Sequence, residues 1–329
     1  MMTPLRQRML DALILRGLAP RTQEAYTDAV SLLARHYARS PDKLSAQQVQ
    51  DFLLHRLRDL QRSRSTVNQY GCAFRFFYGT VLGLDGKEFN IPLGRAPQLL
   101  PEILSRQEIA RLFAAATRPG PRTFLMLAYG TGLRLSELRH LRVCDIDSHA
   151  DRMCIRVVMG KGGKDRYVPL ASDVLELLRA WWHSSHPRLW FFPGQGDGRQ
   201  TAPQPINDAT VQKWYHGARA AAGITKRGGI HTLRHCYATH LLEAGVDLYS
   251  LSQWLGHRHV STTGRYLHLV QPDVPDGARR EPLKLLDALA GAAAPAAAAS
   301  TAKASTAKAS TKKTPSTKPR GTTGQHPAH

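Results

Sequence analysis

Helical periodicity runs through most of this chain and gives way once to strand-like alternation, and that single break sets the fold class. Residues 153–158 (Met-Cys-Ile-Arg-Val-Val), the turn Gly160-Lys161-Gly162-Gly163-Lys164 and residues 166–170 (Arg-Tyr-Val-Pro-Leu) form the pattern of a β-hairpin around a glycine-rich tip. On both sides of it, apolar residues recur at helical spacing. The expectation is a mainly α chain with a small β-sheet, an α+β arrangement.

The first 90 or so residues read as helical throughout. One helix is expected over 4–16, stopped by Gly17, and a second over 22–38, turning Tyr26, Val30, Leu33 and Tyr37 inward. Ser45 with Gln48 has the spacing of a capping box and opens a third, whose inward residues are Val49, Phe52, Leu53 and Leu57. A fourth, over 65–82, presents Tyr70, Phe74, Phe77, Tyr78 and Val81 before Gly83 and Gly86 end it. The Pro- and Gly-rich stretch 86–101 reads as an interdomain linker. Ser105 with Glu108 then caps the first helix of a second domain, and helical pattern returns over 207–222 and on to about residue 268.

Charge narrows the partner. The 329 residues carry a formal charge of +20 and a pI near 10.3, which suits a polyanion, nucleic acid first and an acidic membrane surface second. Arg56, Arg58, Arg62, Arg64 and Arg75 concentrate part of that charge on the helical bundle, as a DNA-facing surface or as a solvated face. No apolar run has the roughly 20 residues needed to span a bilayer, and residues 1–6 lack the layout of a secretory signal. Cys72, Cys144, Cys154 and Cys236 are scattered, as free thiols in a reducing cytoplasm are. A cytoplasmic, nucleoid-associated protein is expected. After Leu289 the composition collapses to Ala, Ser, Thr, Lys and Pro, with no acidic residue after Asp287; such a tail binds DNA non-specifically or serves only solubility.

Six residues suit one chemical task, holding a phosphodiester while a phenol attacks it. Arg134 follows the turn Thr131-Gly132-Leu133 and stands near a helix start, where backbone N–H groups and a guanidinium both face an anion. Taken alone it reads equally as a partner for Glu137. Lys161 at the hairpin tip is either a solvated lysine or a mobile general acid; its glycines lack the spacing of a phosphate-binding loop. His231 and Arg234 lie one helical turn apart and share a face. His257 follows Arg234 by 23 residues on the turn after Gly256, and Tyr266 comes nine residues later in a short helix that Ser261 or Thr262 would cap. A phenol with an ordinary pKa near 10 needs neighbouring cations to act as a nucleophile. His235 and His240 receive no role, His235 being expected to point away from the His231 face, and no carboxylate stands at metal-ligand spacing.

These motifs, in this order, resemble the phage-integrase family of tyrosine recombinases over about residues 4–268. Gly-Thr-Gly-Leu-Arg134-Leu-Ser-Glu-Leu is similar to the family's first arginine box, Gly-Lys161-Gly-Gly-Lys to its lysine hairpin, and His231-x-x-Arg234, Leu-Gly-His257 and Ser-Thr-Thr-Gly-Arg-Tyr266 to its second box. The resemblance implies a SAM-like core-binding domain (1–90), a linker (91–104) and a catalytic domain (105–280) closing as a C-shaped clamp on duplex DNA. A trans-docking helix (281–290) and the basic tail (291–329) complete the expected organisation. It further implies that Tyr266 attacks the scissile phosphate, leaving a 3′-phosphotyrosyl link. Arg134, Arg234 and His257 would stabilise the charge, Lys161 would protonate the departing 5′-oxygen, and His231 would assist. No cofactor or metal is expected. Partners would be a duplex recombination site, three further copies in a homotetrameric synaptic complex, and accessory proteins. The compact 170–230 region lacks the extra segment of integron integrases, and the tail favours a mobile-element enzyme. A Xer-like chromosome-dimer resolvase and a non-catalytic architectural protein remain open.

Overall fold

The computed structural model describes residues 3–87, 89–95, 97, 100–158, 165–194 and 202–270, and the chain divides after Leu100 into two compact units. The first is built from α1 (Pro4–Leu15), α2 (Pro20–Tyr37), α3 (Ala46–Arg58) and α4 (Arg64–Arg75). Ser45 and Gln48 make the reciprocal capping box that their spacing predicts, worth about 1 kcal/mol for the serine cap. Leu33, Val49, Phe52 and Phe74 are fully buried between the helices. Tyr26, Tyr37, Leu57 and Tyr70, expected inside, are only half-buried, and the Tyr37 hydroxyl uses its edge position to donate to the Gln48 carbonyl at 2.7 Å.

The fourth helix departs from its expected form. After Arg75 it becomes a π-helical segment, Phe76–Val81, with Phe76, Phe77 and Tyr78 all buried. Three consecutive residues of a regular helix fan across about 200°, too wide for one apolar face. The expected linker is also partly fastened to the bundle: Asn68 exchanges two hydrogen bonds with Gly94, Gln50 donates to the Asn90 carbonyl, and Ile91 is buried. Of the five arginines singled out by charge, Arg56 lies half-buried over the Phe52 ring, whereas Arg58, Arg62, Arg64 and Arg75 are exposed, Arg75 donating to the Ile91 carbonyl.

The second unit contains α5 (Arg106–Ala115), α6 (Pro119–Thr131), α7 (Leu135–Arg139), α8 (Ser172–Ser185), α9 (Asp208–Ala221), α10 (His231–Glu243), α11 (Leu248–Leu255) and α12 (Val260–Gly264). Its antiparallel sheet has the order β1 (Ile146–Asp147), β2 (Cys154–Val157), β3 (Arg166–Pro169). The hairpin β2–β3 stands where alternation places it: Ile155 pairs with Val168, both fully buried, and the next pair, Arg156 with Tyr167, faces outward. The two-residue β1 is too short to show a period and was not expected. The hairpin tip, including Lys161, the expected docking helix at 281–290 and the tail lie outside the described residues.

Helix α10 is enclosed on nearly every side. Leu233, Cys236, Ala238 and Leu241 are fully buried and Tyr237 nearly so, each large side chain contributing roughly 1.5–3 kcal/mol. That apolar support offsets the desolvation of a charged residue in the same helix, Arg234, which is 6% exposed. Helix α6 ends against it at Gly132, whose φ of +60° favours glycine and whose absent Cβ would collide with the Tyr237 ring. The segment leading to Arg134 is therefore set directly on α10.

Candidate active site

Two glycine turns meet the buried helix. Arg134 follows Gly132 and is the N-cap residue of α7, while Gly256, φ +62°, ends α11 immediately before His257. Arg234 ties the two turns together: its Nη1 donates to the Gly132 carbonyl at 2.6 Å, and its Nη2 donates to the Leu255 carbonyl at 2.7 Å and reaches His257 Nε2 at 3.0 Å. Burial and the charge of Arg134 push its pKa down to about 10, so it stays charged at neutral pH.

Arg134 crosses in the other direction, donating from Nη2 to the Gly256 carbonyl at 2.7 Å and from Nη1 to Glu137 Oε1 at 2.8 Å. The pairing with Glu137 and a place in the phosphate-binding set are thus compatible readings. Glu137 also accepts the Arg134 backbone N–H, and both its oxygens receive the Arg166 guanidinium at 2.9 and 2.7 Å. Arg166 stands at the start of β3, and its Nε donates to the Trp254 carbonyl. A Cβ on Gly256 would lie 2.8 Å from that Nε, so the turn needs glycine for space as well as for φ. Burial alone would raise the Glu137 pKa; the hydrogen bonds and charge of Arg166, then those of Arg134, hold it down to about 2.

Arg134 and Arg166 bond a single carboxylate, and Arg234 feels its charge without bonding it, which leaves the three guanidiniums an excess of two positive charges. An anion is the natural complement of such a cluster. His257 is neutral there, because burial and then Arg234, Arg134, Arg265 and Arg166 lower its pKa to about 3. Its tautomer is fixed by its partners: Arg234 can only donate, so Nε2 accepts, and the proton on Nδ1 is donated to Thr263 Oγ1 at 2.7 Å.

Tyr266 is 5% exposed, its ring 6.5 Å from that of His257 and inclined by 15°. It does not ride on the short helix as expected. Helix α12 ends at Gly264, Ser261 and Thr262 lie inside it, and Tyr266 follows its C-cap Arg265. The cap fails because α12 starts earlier, at Val260, after His259. Burial raises the phenol pKa, and Arg234, Arg265 and Arg134 work against that rise.

The structure thus brings Arg134, Arg234, His257 and Tyr266 into one connected group. His231 is exposed as the first residue of α10, its pKa lowered by desolvation and then by Arg234 and Arg134. His240 is buried and bonded to the Tyr129 hydroxyl at 2.8 Å, a structural place. His235 corrects the expectation. It does not turn away from the site; its Nδ1 lies 2.9 Å from the Tyr266 hydroxyl. Residues four apart on a helix differ by only about 40° in direction, so His235 shares the His231 side. Arg166 and Thr263 were also missed, because neither stands in a pattern that periodicity or charge sets apart.

Comparison with known proteins agrees with the family resemblance. The model of the phage integrase family matches residues 102–271, and that of the phage integrase N-terminal SAM-like domain matches residues 5–88. A tyrosine recombinase XerA of Thermococcus kodakarensis is 33% identical over 283 residues, covering 84% of this chain and 94% of its own. The chain belongs to the phage integrase family. An integrase/recombinase of Escherichia coli is likewise 33% identical over 309 residues, with 82% of this chain and 90% of its own covered. The fold is that of a lambda integrase solved as a tetramer bound to a Holliday junction, with a TM-score of 0.64 at 18% identity over 83% of this chain and 78% of that one. Membership makes this phage-integrase chain a tyrosine recombinase, an enzyme that cleaves and rejoins DNA. No helix among the described residues is long and apolar enough to cross a membrane.

Proposed function

We propose that the enzyme acts at a duplex recombination site with Tyr266 as nucleophile, forming a 3′-phosphotyrosyl link and freeing a 5′-hydroxyl. The observation that carries this reading is the pair of guanidiniums, Arg134 and Arg234, braced on backbone carbonyls beside the buried phenol. Such braced donors stabilise charge that develops at a phosphoryl centre without reorganising. An incoming phosphate also favours a protonated His257, which then donates to a non-bridging oxygen instead of accepting from Arg234. Lys161 protonates the 5′-oxygen and His231 assists proton movement, roles that rest on the motif resemblance. A partner strand's 5′-hydroxyl then reverses the step, so the phosphodiester bond energy is conserved. The working assembly is a homotetramer on two sites in the cytoplasm, serving integration or excision of a mobile element, with accessory proteins supplying direction.

Nicked duplexes from the flanks of the protein's own gene test this directly. One of them is expected to give a protein–DNA band that survives SDS, with the DNA carried on the peptide that contains Tyr266. Tight binding without a covalent band would favour an architectural protein. In the same assay Arg234→Lys is expected to slow cleavage by about 10²–10³, because an ammonium keeps the charge but cannot span the Gly132 and Leu255 carbonyls. A rate within threefold of the native one would remove the guanidinium fork from the account.

A further inference from the structure

Three imidazoles belong to this region, and their contacts separate them. Both nitrogens of His257 are engaged, Nε2 by Arg234 and Nδ1 by Thr263. His231 is exposed at the mouth of α10. His235, half-buried one turn further on, is the ring whose nitrogen meets the Tyr266 hydroxyl, at 2.9 Å with ring centroids 5.7 Å apart. With its proton on Nε2, His235 presents Nδ1 as an acceptor for the phenolic O–H.

We propose that His235 is a catalytic residue, the general base that takes the Tyr266 proton during strand cleavage. This rests on the nucleophile reading above. As the Tyr266 oxygen–phosphorus bond forms and the phosphorus–O5′ bond breaks, the phenolic proton moves to His235 Nδ1, giving an imidazolium. The leaving 5′-oxygen takes its proton from the acid on the other side of the phosphate. On rejoining, His235 returns its proton to the departing Tyr266 oxygen. Concerted transfer matters here, since burial disfavours a free phenolate in this pocket.

The surroundings make the base responsive to substrate. The groups facing His235 are His231 and Arg234 on its own helix, and Arg265 and Tyr266 from the segment after α12. Desolvation, followed by His231, Arg234 and Arg265, lowers its pKa to about 4 in the empty site, so the ring is neutral and able to accept. A phosphate among the same arginines offsets their charge and strengthens the base. The proton is therefore taken up when a phosphodiester is in place.

The test uses the full chain and the nicked duplex that traps the native protein. His235→Asn is the deciding variant, because its side-chain oxygen can accept the phenolic hydrogen bond but cannot take the proton; His235→Ala with added imidazole accompanies it. Both variants should bind the duplex as the native protein does and cleave it about 10²-fold or more slowly at pH 7.5. The deficit should shrink as pH rises towards the phenol's own range, and imidazole should restore part of the His235→Ala rate. Native-like cleavage by His235→Asn, or a deficit that neither pH nor imidazole changes, overturns the proposal. An adduct that persists in Tyr266→Phe instead overturns the nucleophile assignment, whatever His235 does.

Discussion

Tyr266→Phe is expected to bind the recombination site with native affinity and to form no covalent adduct at all. The substitution keeps the buried ring and its packing beside His257 and removes only the hydroxyl. What the fold loses is the hydrogen bond to His235, worth about 1 kcal/mol, which is too little to unfold the unit. On the proposed mechanism, what the chemistry loses is the attacking oxygen, and no quantity of charge stabilisation replaces that. Arg134, Arg234 and His257, the proposed phosphate-holding residues, remain, so affinity and adduct formation are expected to separate completely. Gel shift and SDS-resistant trapping on the same nicked duplex read the two properties side by side. A residual adduct of the same polarity would place the nucleophile elsewhere.

Glu137→Gln is expected to lose about 3 kcal/mol of stability at pH 7, with the loss shrinking in acid. Glu137 is the carboxylate between Arg134 and Arg166, and all three side chains are largely withdrawn from water. Its folded pKa of about 2 lies below the reference 4.5. A depressed carboxylate contributes stability that is fully present above its unfolded pKa and is lost as pH falls through the folded one. The window is therefore from about pH 4.5 down to about 2, and the lowered proton affinity corresponds to about 3 kcal/mol. Glutamine preserves size and acceptor geometry but leaves two guanidiniums facing each other, which is costly when little water reaches them. Urea unfolding of both proteins at pH 7, 5 and 3 measures the gap. A gap below 1 kcal/mol at pH 7, or one that does not narrow in acid, would mean that the cluster is solvated and Glu137 is not its brace.

Glu137 also shows how far a motif can be read locally. Its position three residues after Arg134 was visible, and so was a simple pairing between them. The second arginine was not, because Arg166 is 29 residues away on a strand. His235 is similar: it follows Arg234 directly, yet its partner Tyr266 is 31 residues further on. The opposite holds for Ser45, Gln48, Ser105 and Glu108, whose capping boxes form as spaced, since every atom involved lies within one helical turn. The π-helical turn after Arg75 lies between these cases. Its three consecutive aromatics were plain in the sequence, but only the packing around them decided that all three would be buried.

The sequence by itself determined the mainly helical class, the β-hairpin with its glycine-rich tip, and the ordered set of arginines, histidines and tyrosine. Periodicity, capping and turn chemistry act over a few residues, so they are written in the order of the chain. Only the tertiary structure decided which carbonyls brace Arg134 and Arg234, which tautomer His257 adopts, and which imidazole meets the phenol. Those choices join residues as much as 122 positions apart, as in the bond from Arg134 to Gly256. They follow from how α6 and α11 close against α10, where burial removes water and obliges each charged group to find a protein partner.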